Sequence, residues 1–390
     1  MKKNLAVFFG GKSCEHDVSV VTGSQAMENA DKQKYNVIPV YIDREGQWFT
    51  GDKLKDVSFV DNFDESKVTK VYMRPTPGKG ELYPVNMGGM FKSKGPVAQI
   101  DVALLAFHGM NGEDGTIQGL FELADIPYTS STVLGSSVGM DKIGMRLFFS
   151  GMDLPVLEHV FYDRNRWDND RNAVIDETED KLKYPMFVKP ANLGSSIGIS
   201  RADDRESLIT ALDVAFHYDR RVIVERAVSK LKEVNCSALG FGDDIRSSVC
   251  EQPVSWEKFL TFDEKYLRGE NTKGMKSLNR IVPAPISEEM TKAVQEMTRR
   301  IFCAMDGKGV VRVDYIIDEA TNKLYVNEVN TIPGSLAYYL WEPLGVNFKA
   351  LIDELVKYAL KATEEKNRNN YAFDSKLLKK FKPGGKLGTK

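Results

Sequence analysis

Two apolar runs near the C-terminus, residues 310–317 and 324–330, constrain the fold more than any other feature. Each alternates with period two, and the polar stretch 318–323 between them reads as a turn, so the two form an antiparallel pair. Alternation places Arg312 and Asp314 on one face of the first strand, with Val311, Val313, Tyr315 and Ile317 on the other. On the second strand Glu328 and Asn330 share a face, opposite Tyr325, Val329 and Thr331. A register that opposes Asp314 to Glu328 also sets Arg312 against Asn330, Val313 against Val329 and Ile317 against Tyr325. Slipping by one residue would place Glu328 opposite Val313 and bury a charge in the core, so the first register is expected. It gathers two carboxylates and an amide oxygen beside one arginine. Hard oxygen donors of this kind suit Mg²⁺ shared with substrate phosphates. A solvated strand face with a surface Arg–Asp pair is the competing reading.

The rest of the chain alternates strand and helix. Strand patterns at 5–9, 37–42 and 102–107 and helical ones at 17–29 and 116–124 suggest a parallel α/β sheet. Residues 50–100 are more polar and support no assignment. A second region begins at Tyr128, with a helix near 140–150, strands near 186–189, 197–200 and 222–225, and a helix over 207–217. A third begins at Val234 with strands, a long polar loop (258–279) and a helix over 288–305 ahead of the strand pair. Phe348, Leu351, Ile352, Leu355 and Ala359 have helical spacing, which supports a last amphipathic helix. The expected units are residues 1–127, 128–233 and 234–365, with a basic, disordered tail over 366–390. Residues 376–390 carry six lysines and no acid; they read as that tail or equally as a vector remnant.

Composition narrows the function. The chain has 53 Lys and Arg against 55 Asp and Glu, a net charge of −2. That balance argues against a nucleic-acid coat or a broadly basic membrane binder. Cys14, Cys236, Cys250 and Cys303 form no C-x-x-C pair, so neither a zinc knuckle nor a redox motif is expected, and the thiols read as reduced and cytosolic. The apolar run at 5–9 is too short for a signal peptide, and no run approaches the roughly 18 residues of a membrane helix. A cytoplasmic protein is the expectation.

Phosphate contacts should accompany a magnesium site. Gly11-Lys12-Ser13 resembles the end of a P-loop, but Ala6 stands where the first glycine is required. The better candidate runs from Lys189 to Gly198, whose glycines and serines offer backbone N–H groups and hydroxyls to an anion. Lys189 closes an apolar strand and would bring its ammonium to the same phosphates. A flexible hairpin turn is the alternative for that segment. Gly10 to Ser13 lies at the carboxyl end of a strand, where open α/β sheets bind ligands. Glu15 just beyond either complements a helix dipole or holds a substrate ammonium. His108 also follows a strand and opens the polar loop Asn111 to Gly115.

Assembled, these residues resemble the D-alanine–D-alanine ligases of the ATP-grasp superfamily over most of residues 4–360. The resemblance rests on five stretches in the family's order: Phe9-Gly-Gly-Lys-Ser-Cys-Glu-His-Asp-Val-Ser19, His108-Gly-Met-Asn-Gly-Glu-Asp-Gly-Thr-Ile-Gln-Gly119, Lys189 to Gly198, Arg312-Val-Asp314 and Asn327-Glu-Val-Asn-Thr-Ile-Pro-Gly334. It implies a three-domain ATP-grasp fold with an N-terminal parallel α/β domain and ATP between the second and third domains. By the same resemblance Lys142 and Lys189 contact ATP phosphates and Ser196 lies in the closing phosphate loop. Glu225 and Glu233 bind adenine and ribose, and Phe259 joins the ATP site. Asp314, Glu328 and Asn330 carry two Mg²⁺ ions, for which Mn²⁺ could substitute. Glu15 holds the first amino acid's ammonium, His108 lies near its carboxylate, and Arg312 stabilises charge at the reacting centre.

The implied chemistry is ATP-driven conversion of one D-alanine into an acyl phosphate, followed by attack of a second D-alanine's amine, as a step in peptidoglycan precursor synthesis. The acyl phosphate hydrolyses readily, so a lid must exclude water. The 258–279 loop is the candidate, with Lys265 approaching the γ-phosphate and Tyr266 closing a triad with Glu15 and Ser195. Leu260 and Phe262 stand where the family's lid usually has tyrosines, and the lid is longer after Tyr266. After Gly334 the chain reads Ser335-Leu336-Ala337-Tyr338-Tyr339-Leu340-Trp341, so either Ser335-Leu336 or Tyr339-Leu340 replaces the family's Ser-Leu contact to the second substrate. Tyr266 favours an amine acceptor, hence D-alanine, with D-serine open. A different D-alanine–amine ligase and an inactive nucleotide-binding regulator are the alternatives. The resemblance also implies a homodimer.

Overall fold

The computed structural model describes residues 2–85, 95–254, 280–373 and 375. The segment expected as a lid, with Phe259, Lys265 and Tyr266, and the basic tail beyond 375 lie outside them.

Three sheets organise the chain. The first has seven strands: β1 (Lys3–Gly10), β2 (Tyr35–Ile42), β3 (Trp48–Thr50), β4 (Thr69–Met73), β5 (Glu81–Pro84), β6 (Ala98–Gln99) and β7 (Val102–Leu105), in the order β6-β5-β4-β3-β2-β1-β7. The expected parallel strands form one end of it: β1 pairs with β2 and β7, both parallel. Leu5 to Phe9 are buried throughout, as a strand covered on both faces requires. Strands β3 to β6 extend the sheet from β2 as an antiparallel meander, with the short helix α2 (Val57–Asp61) between β3 and β4 in the chain. Helices α1 (His16–Asn29) and α3 (Thr116–Ala124) follow β1 and β7.

The helix expected near 140–150 forms as α5 (Lys142–Gly151), and a helix the sequence did not suggest, α4 (Val133–Met140), precedes it. Asp141 breaks them with an extended backbone, and its carboxylate accepts the Gly144 N–H as an N-cap. The second sheet comprises β8 (His159–Asp163), β9 (Met186–Pro190), β10 (Ser200–Ala202) and β11 (Arg221–Arg226), all antiparallel in the order β10-β9-β11-β8. Helices α6 (Arg164–Asn169), α7 (Arg171–Lys181) and α8 (Arg205–Tyr218) accompany it. The strand expected at 197–200 starts only at Ser200, because Ile197 and Ile199 remain in a turn, donating their N–H groups to Gly194 and Ser196.

The third sheet has the order β14-β13-β12-β15-β16, from β12 (Leu231–Phe241), β13 (Asp244–Pro253), β14 (Arg280–Ile281), β15 (Gly309–Asp318) and β16 (Lys323–Asn330). Helix α9 (Glu288–Ala304) packs on it through Val294, Ile301 and Phe302. The expected register holds at its functional end: Arg312 opposes Asn330, Val313 opposes Val329, and Asp314 opposes Glu328. Beyond that a bulge at Asn327 moves the pairing by one, so Ile317 meets Leu324, not Tyr325. The shift turns Leu324 and Val326 toward the core beside Tyr315 and Ile317. Finally α10 (Phe348–Asn367) returns to the first sheet, burying the expected Leu351, Ile352, Leu355 and Ala359 in one cluster with β1 and β7.

Candidate active site

Loops at the strand ends of the three sheets converge. After β1, Gly10 and Gly11 turn the chain at φ of +88° and +103°, a conformation open to glycine, and lead to Glu15 at the N-cap of α1. His16 fixes this turn, with Nδ1 2.7 Å from the Gly11 carbonyl and Nε2 3.1 Å from the Tyr41 hydroxyl. After β9, Ser195 and Ser196 adopt φ of +52° and +61°. The two loops meet where the Ser195 hydroxyl donates to Glu15 Oε1. The Glu15 carboxylate is wedged between glycine backbones: a Cβ on Gly109 would lie 2.6 Å from its Oε2, and one on Gly194 2.8 Å away. A cavity of about 370 Å³ opens beside Glu15, Gly109 and Gly194. A larger depression of about 600 Å³ beside Lys2, Lys3 and Asp101 contains none of the expected site residues.

The lysines face this loop and the third sheet. Lys142 opens α5, is buried, and donates from Nζ to the Leu193 carbonyl at 2.5 Å. Burial pushes its ammonium pKa down, opposed by the nearby Glu328 carboxylate and reinforced by Lys189. Lys189 on β9 pairs with Glu225 on β11, Nζ to Oε2 at 2.5 Å. Arg146 occupies the other oxygen, Nε to Oε1 at 2.5 Å. Burial alone would raise the Glu225 carboxyl; Arg146 and Lys189 overcome it and hold it well below the usual range. Glu233 stands exposed on β12, opposite Ile316.

On the third sheet Arg312 grips Asp314 with two parallel bonds, Nε to Oδ1 at 2.6 Å and Nη2 to Oδ2 at 2.7 Å. Asn330 Nδ2 donates to Asp314 Oδ2 at 3.0 Å, which turns its amide oxygen away from that carboxylate. Among the described residues no three His, Cys, Asp or Glu side chains gather as a metal cluster; the candidate set is two carboxylates and one amide. Such all-oxygen donors fit a divalent cation that completes its shell with phosphates and water.

His108 is buried and its Nε2 lies 2.8 Å from Thr22 Oγ1 on α1. Burial, with the Arg312 charge adding to it, lowers its pKa to about 3, so the ring is neutral. Its Nδ1 is 3.9 Å from Glu113 Oε2. Glu113 accepts the N–H of Gly109 at 2.8 Å and that of Ile332 at 2.9 Å. Burial and the Glu15 charge raise its pKa to about 8. Gly334 opens a buried turn in which Ser335, Leu336 and Ala337 all take left-handed φ of +51° to +53°, a strained run for residues bearing a Cβ. The Ser335 N–H donates to Thr22 Oγ1 at 3.2 Å, joining this turn to His108. Tyr339 is engaged elsewhere: its hydroxyl donates to Glu251 Oε1 at 3.0 Å and Arg280 stacks 3.8 Å over its ring. Among the described residues the geometry thus keeps Ser335-Leu336 beside His108.

Three contributors escaped the sequence reading: Thr22, Glu113 and Arg146. Thr22 lies two turns after Glu15 on one helix face, and Arg146 one turn after Lys142, and that spacing was the available signal. Glu113 sat inside a polar loop that read only as open.

Three α/β units that set a glycine–serine loop, buried lysines and an oxygen-donor strand face around one site define the ATP-grasp class of enzymes. Within it the chain belongs to the D-alanine–D-alanine ligase family: the D-ala D-ala ligase N-terminus model matches residues 4–131 and the C-terminus model residues 148–357. It is 40% identical to a D-alanine–D-alanine ligase of Heliobacterium modesticaldum over 95% of this chain and 98% of that one. It is 36% identical to one of Thermosipho africanus over 96% and 98%. Among solved structures it resembles the VanG D-Ala:D-Ser ligase of Enterococcus faecalis, with TM-score 0.78, 29% identity, and coverage of 92% and 100%. The fold also matches the D-alanine–D-alanine ligase of Coxiella burnetii, with TM-score 0.77 and 23% identity over 94% and 96%.

Proposed function

We propose that this protein joins two D-alanines in an ATP-dependent, ADP-forming reaction through a D-alanyl phosphate, supplying a peptidoglycan precursor. The observation that carries the reading is the bond from Ser195 to Glu15 across 180 residues, which sets a carboxylate for an amino acid's ammonium against a loop suited to phosphate. In this reading Glu15 orients the first D-alanine, and neutral His108, held by Thr22, lies near its carboxylate. Arg312 stabilises negative charge developing at the reacting carbonyl. Lys142, Lys189 and Ser196 hold phosphates; Glu225 and Glu233 serve the adenosine. Ser335 and Leu336, after Gly334, serve the second amino acid's carboxylate. Asp314, Glu328 and Asn330 would hold divalent cations, two Mg²⁺ ions in the family pattern, which neutralise phosphate charge. Phe259, Lys265 and Tyr266, outside the described residues, complete the ATP and acceptor contacts as the lid. No helix among the described residues is long and apolar enough to cross a membrane, in keeping with a cytoplasmic role. The boundaries near residues 127, 233 and 365 and a homodimer belong to the same proposal.

The test is to mix protein, ATP, Mg²⁺ and D-alanine, measure ADP release and identify the product by mass, then repeat with D-serine, D-lactate and L-alanine. Formation of D-alanyl-D-alanine is expected. The likeness to a D-Ala:D-Ser ligase makes D-alanyl-D-serine the second reading, and its preferential formation would redefine the acceptor. ATP turnover with no D-alanine-containing product would refute both.

A further inference from the structure

Arg146 is a buried cation that none of the assigned roles uses. It lies one helical turn beyond Lys142 on α5, so both side chains leave the same helix face. Its guanidinium reaches two sheets at once. Nε donates to Glu225 Oε1 on β11 at 2.5 Å. Nη1 donates to the Asn327 carbonyl, and Nη2 to Asn327 Oδ1 at 3.3 Å, on β16. Asn327 is the residue at which the β15–β16 pairing shifts, and it directly precedes Glu328. One planar fork therefore touches the carboxylate that pairs with Lys189 and the bulge that aims Glu328.

A bulge leaves its extra residue without ladder partners, so something outside the sheet must fix its direction. Here the fixing bonds come from the helix that carries Lys142. An ammonium at this position is a point donor on a flexible stem and lacks the fork that spans Glu225 and Asn327 together. α5 itself is anchored in both directions: Ile143 packs with Ala191 and Ile223 of the second sheet, and Met145 and Phe149 pack under the third. The guanidinium is thus held still where the two sheets approach each other.

We propose that Arg146 is a positioning residue that sets Lys189 and Glu225 for the nucleotide and Glu328 for the divalent cation as one unit, so that nucleotide and metal affinity are coupled through it. This rests on the reading above that these residues face ATP and Mg²⁺. Binding of ADP is measured by titration calorimetry, in Mg²⁺ and in EDTA, on the full chain and on Arg146→Lys, Arg146→Met and Asn327→Ala, with thermal unfolding alongside. ADP binding by the unaltered protein, tightened by Mg²⁺, is expected; its absence would refute the nucleotide reading and this inference with it. Arg146→Lys should weaken ADP binding in Mg²⁺ roughly tenfold and lose most of the Mg²⁺ enhancement, as loss of an outer partner of a metal ligand does elsewhere. Asn327→Ala keeps the bonds to Glu225 and to the backbone carbonyl of residue 327 and removes only the half-buried amide that accepts from Nη2. It should fold even where the Arg146 variants do not, and should reduce the Mg²⁺ enhancement while leaving affinity in EDTA unchanged. Arg146→Lys or Asn327→Ala retaining both the affinity and the Mg²⁺ enhancement of the unaltered protein would overturn the proposal, whatever their melting temperatures, because a merely structural role moves stability alone.

Discussion

Replacing Gly109 with alanine tests the construction of the first-substrate end of the site. Gly109 sits at φ +73°, where a side chain costs about 1–2 kcal/mol. Its Cβ would also stand 2.5 Å from Ser13 Oγ and 2.6 Å from Glu15 Oε2, closer than real Cβ contacts. Overpacking of this kind costs about 1–3 kcal/mol, so the substitution should destabilise by roughly 2–5 kcal/mol. Glu15 has little room to retreat, because even an added Cβ on Gly194 would lie 2.8 Å from the same oxygen, and Ser195 bonds to the other. Some of the strain must therefore move the carboxylate proposed to hold the substrate ammonium. A displacement near 1 Å lowers kcat/KM for D-alanine by on the order of 100-fold. Gly119, ten residues on, lies inside α3 with nothing within 4 Å of its Cβ position. Gly119→Ala should stabilise by about 0.5–1 kcal/mol and leave kinetics alone. Denaturant midpoints and steady-state ADP release on both variants decide the matter. A Gly109→Ala protein with the midpoint and kcat/KM of the original would refute the wedge argument.

Other consequences are measurable with the same assays. Arg312→Ala should retain ADP binding while kcat falls about 100- to 1,000-fold, the loss typical of a donor aimed at developing negative charge; an unchanged kcat would contradict its role. Glu113 has its pKa raised from 4.5 to about 8, so the folded state holds a proton that the unfolded chain has lost. Its contribution to stability is greatest below pH 4.5 and is lost as pH rises through about 8. The denaturant midpoint of Glu113→Gln should therefore gain on that of the original protein between pH 5 and pH 9, by a few kcal/mol at most; a constant difference would sink this. His108, with its pKa lowered to about 3, stays neutral over that range. KM for D-alanine should show no inflection near 6.5 that His108→Gln abolishes, and finding one would show that the ring titrates.

The strand pair that organised the reading was legible because burial of a charge makes one register far cheaper than its neighbour, and that argument uses only residues on the two strands themselves. It failed where an outside partner intervened. The bulge at Asn327 is bonded by a guanidinium 181 residues upstream, and no period-two pattern contains that information. The start of α5 at Asp141 was readable, since aspartate commonly caps a helix, but α4 before it, rich in glycine and serine, gave no helical signal. The left-handed turn at Ser335 to Ala337 was not readable at all: leucine and alanine disfavour that conformation, and only surrounding packing that leaves each of them buried imposes it. Residues 50–100 gave no strand signal because their strands are short and many of their residues are only half-buried.

Several of the contacts that join the three sheets are made by the site's own residues or their immediate neighbours, while α10 and the 334–341 turn fuse the first and third sheets into one apolar cluster. The first and second units meet at Glu15 and Ser195. The second and third meet at Glu225, Arg146 and Asn327. The third returns to the first through Ile332 bonded to Glu113 and Ser335 bonded to Thr22. Each sheet meanwhile keeps a hydrophobic cluster dominated by its own strands, such as the one formed by Val188, Leu208, Leu212 and Val222 in the second unit. The second sheet's cluster draws on no residue of the other two sheets, whereas the first sheet shares its cluster with Leu239 and Val310 of the third. Burial of apolar surface holds each unit together regardless of ligand. The polar bonds between units are individually worth only about 0.5–1.5 kcal/mol, or somewhat more where charged. The second sheet can exchange those few bonds for bonds to nucleotide, cation and amino acid with its own cluster intact, which is what a site that must open to admit three ligands and close to exclude water requires.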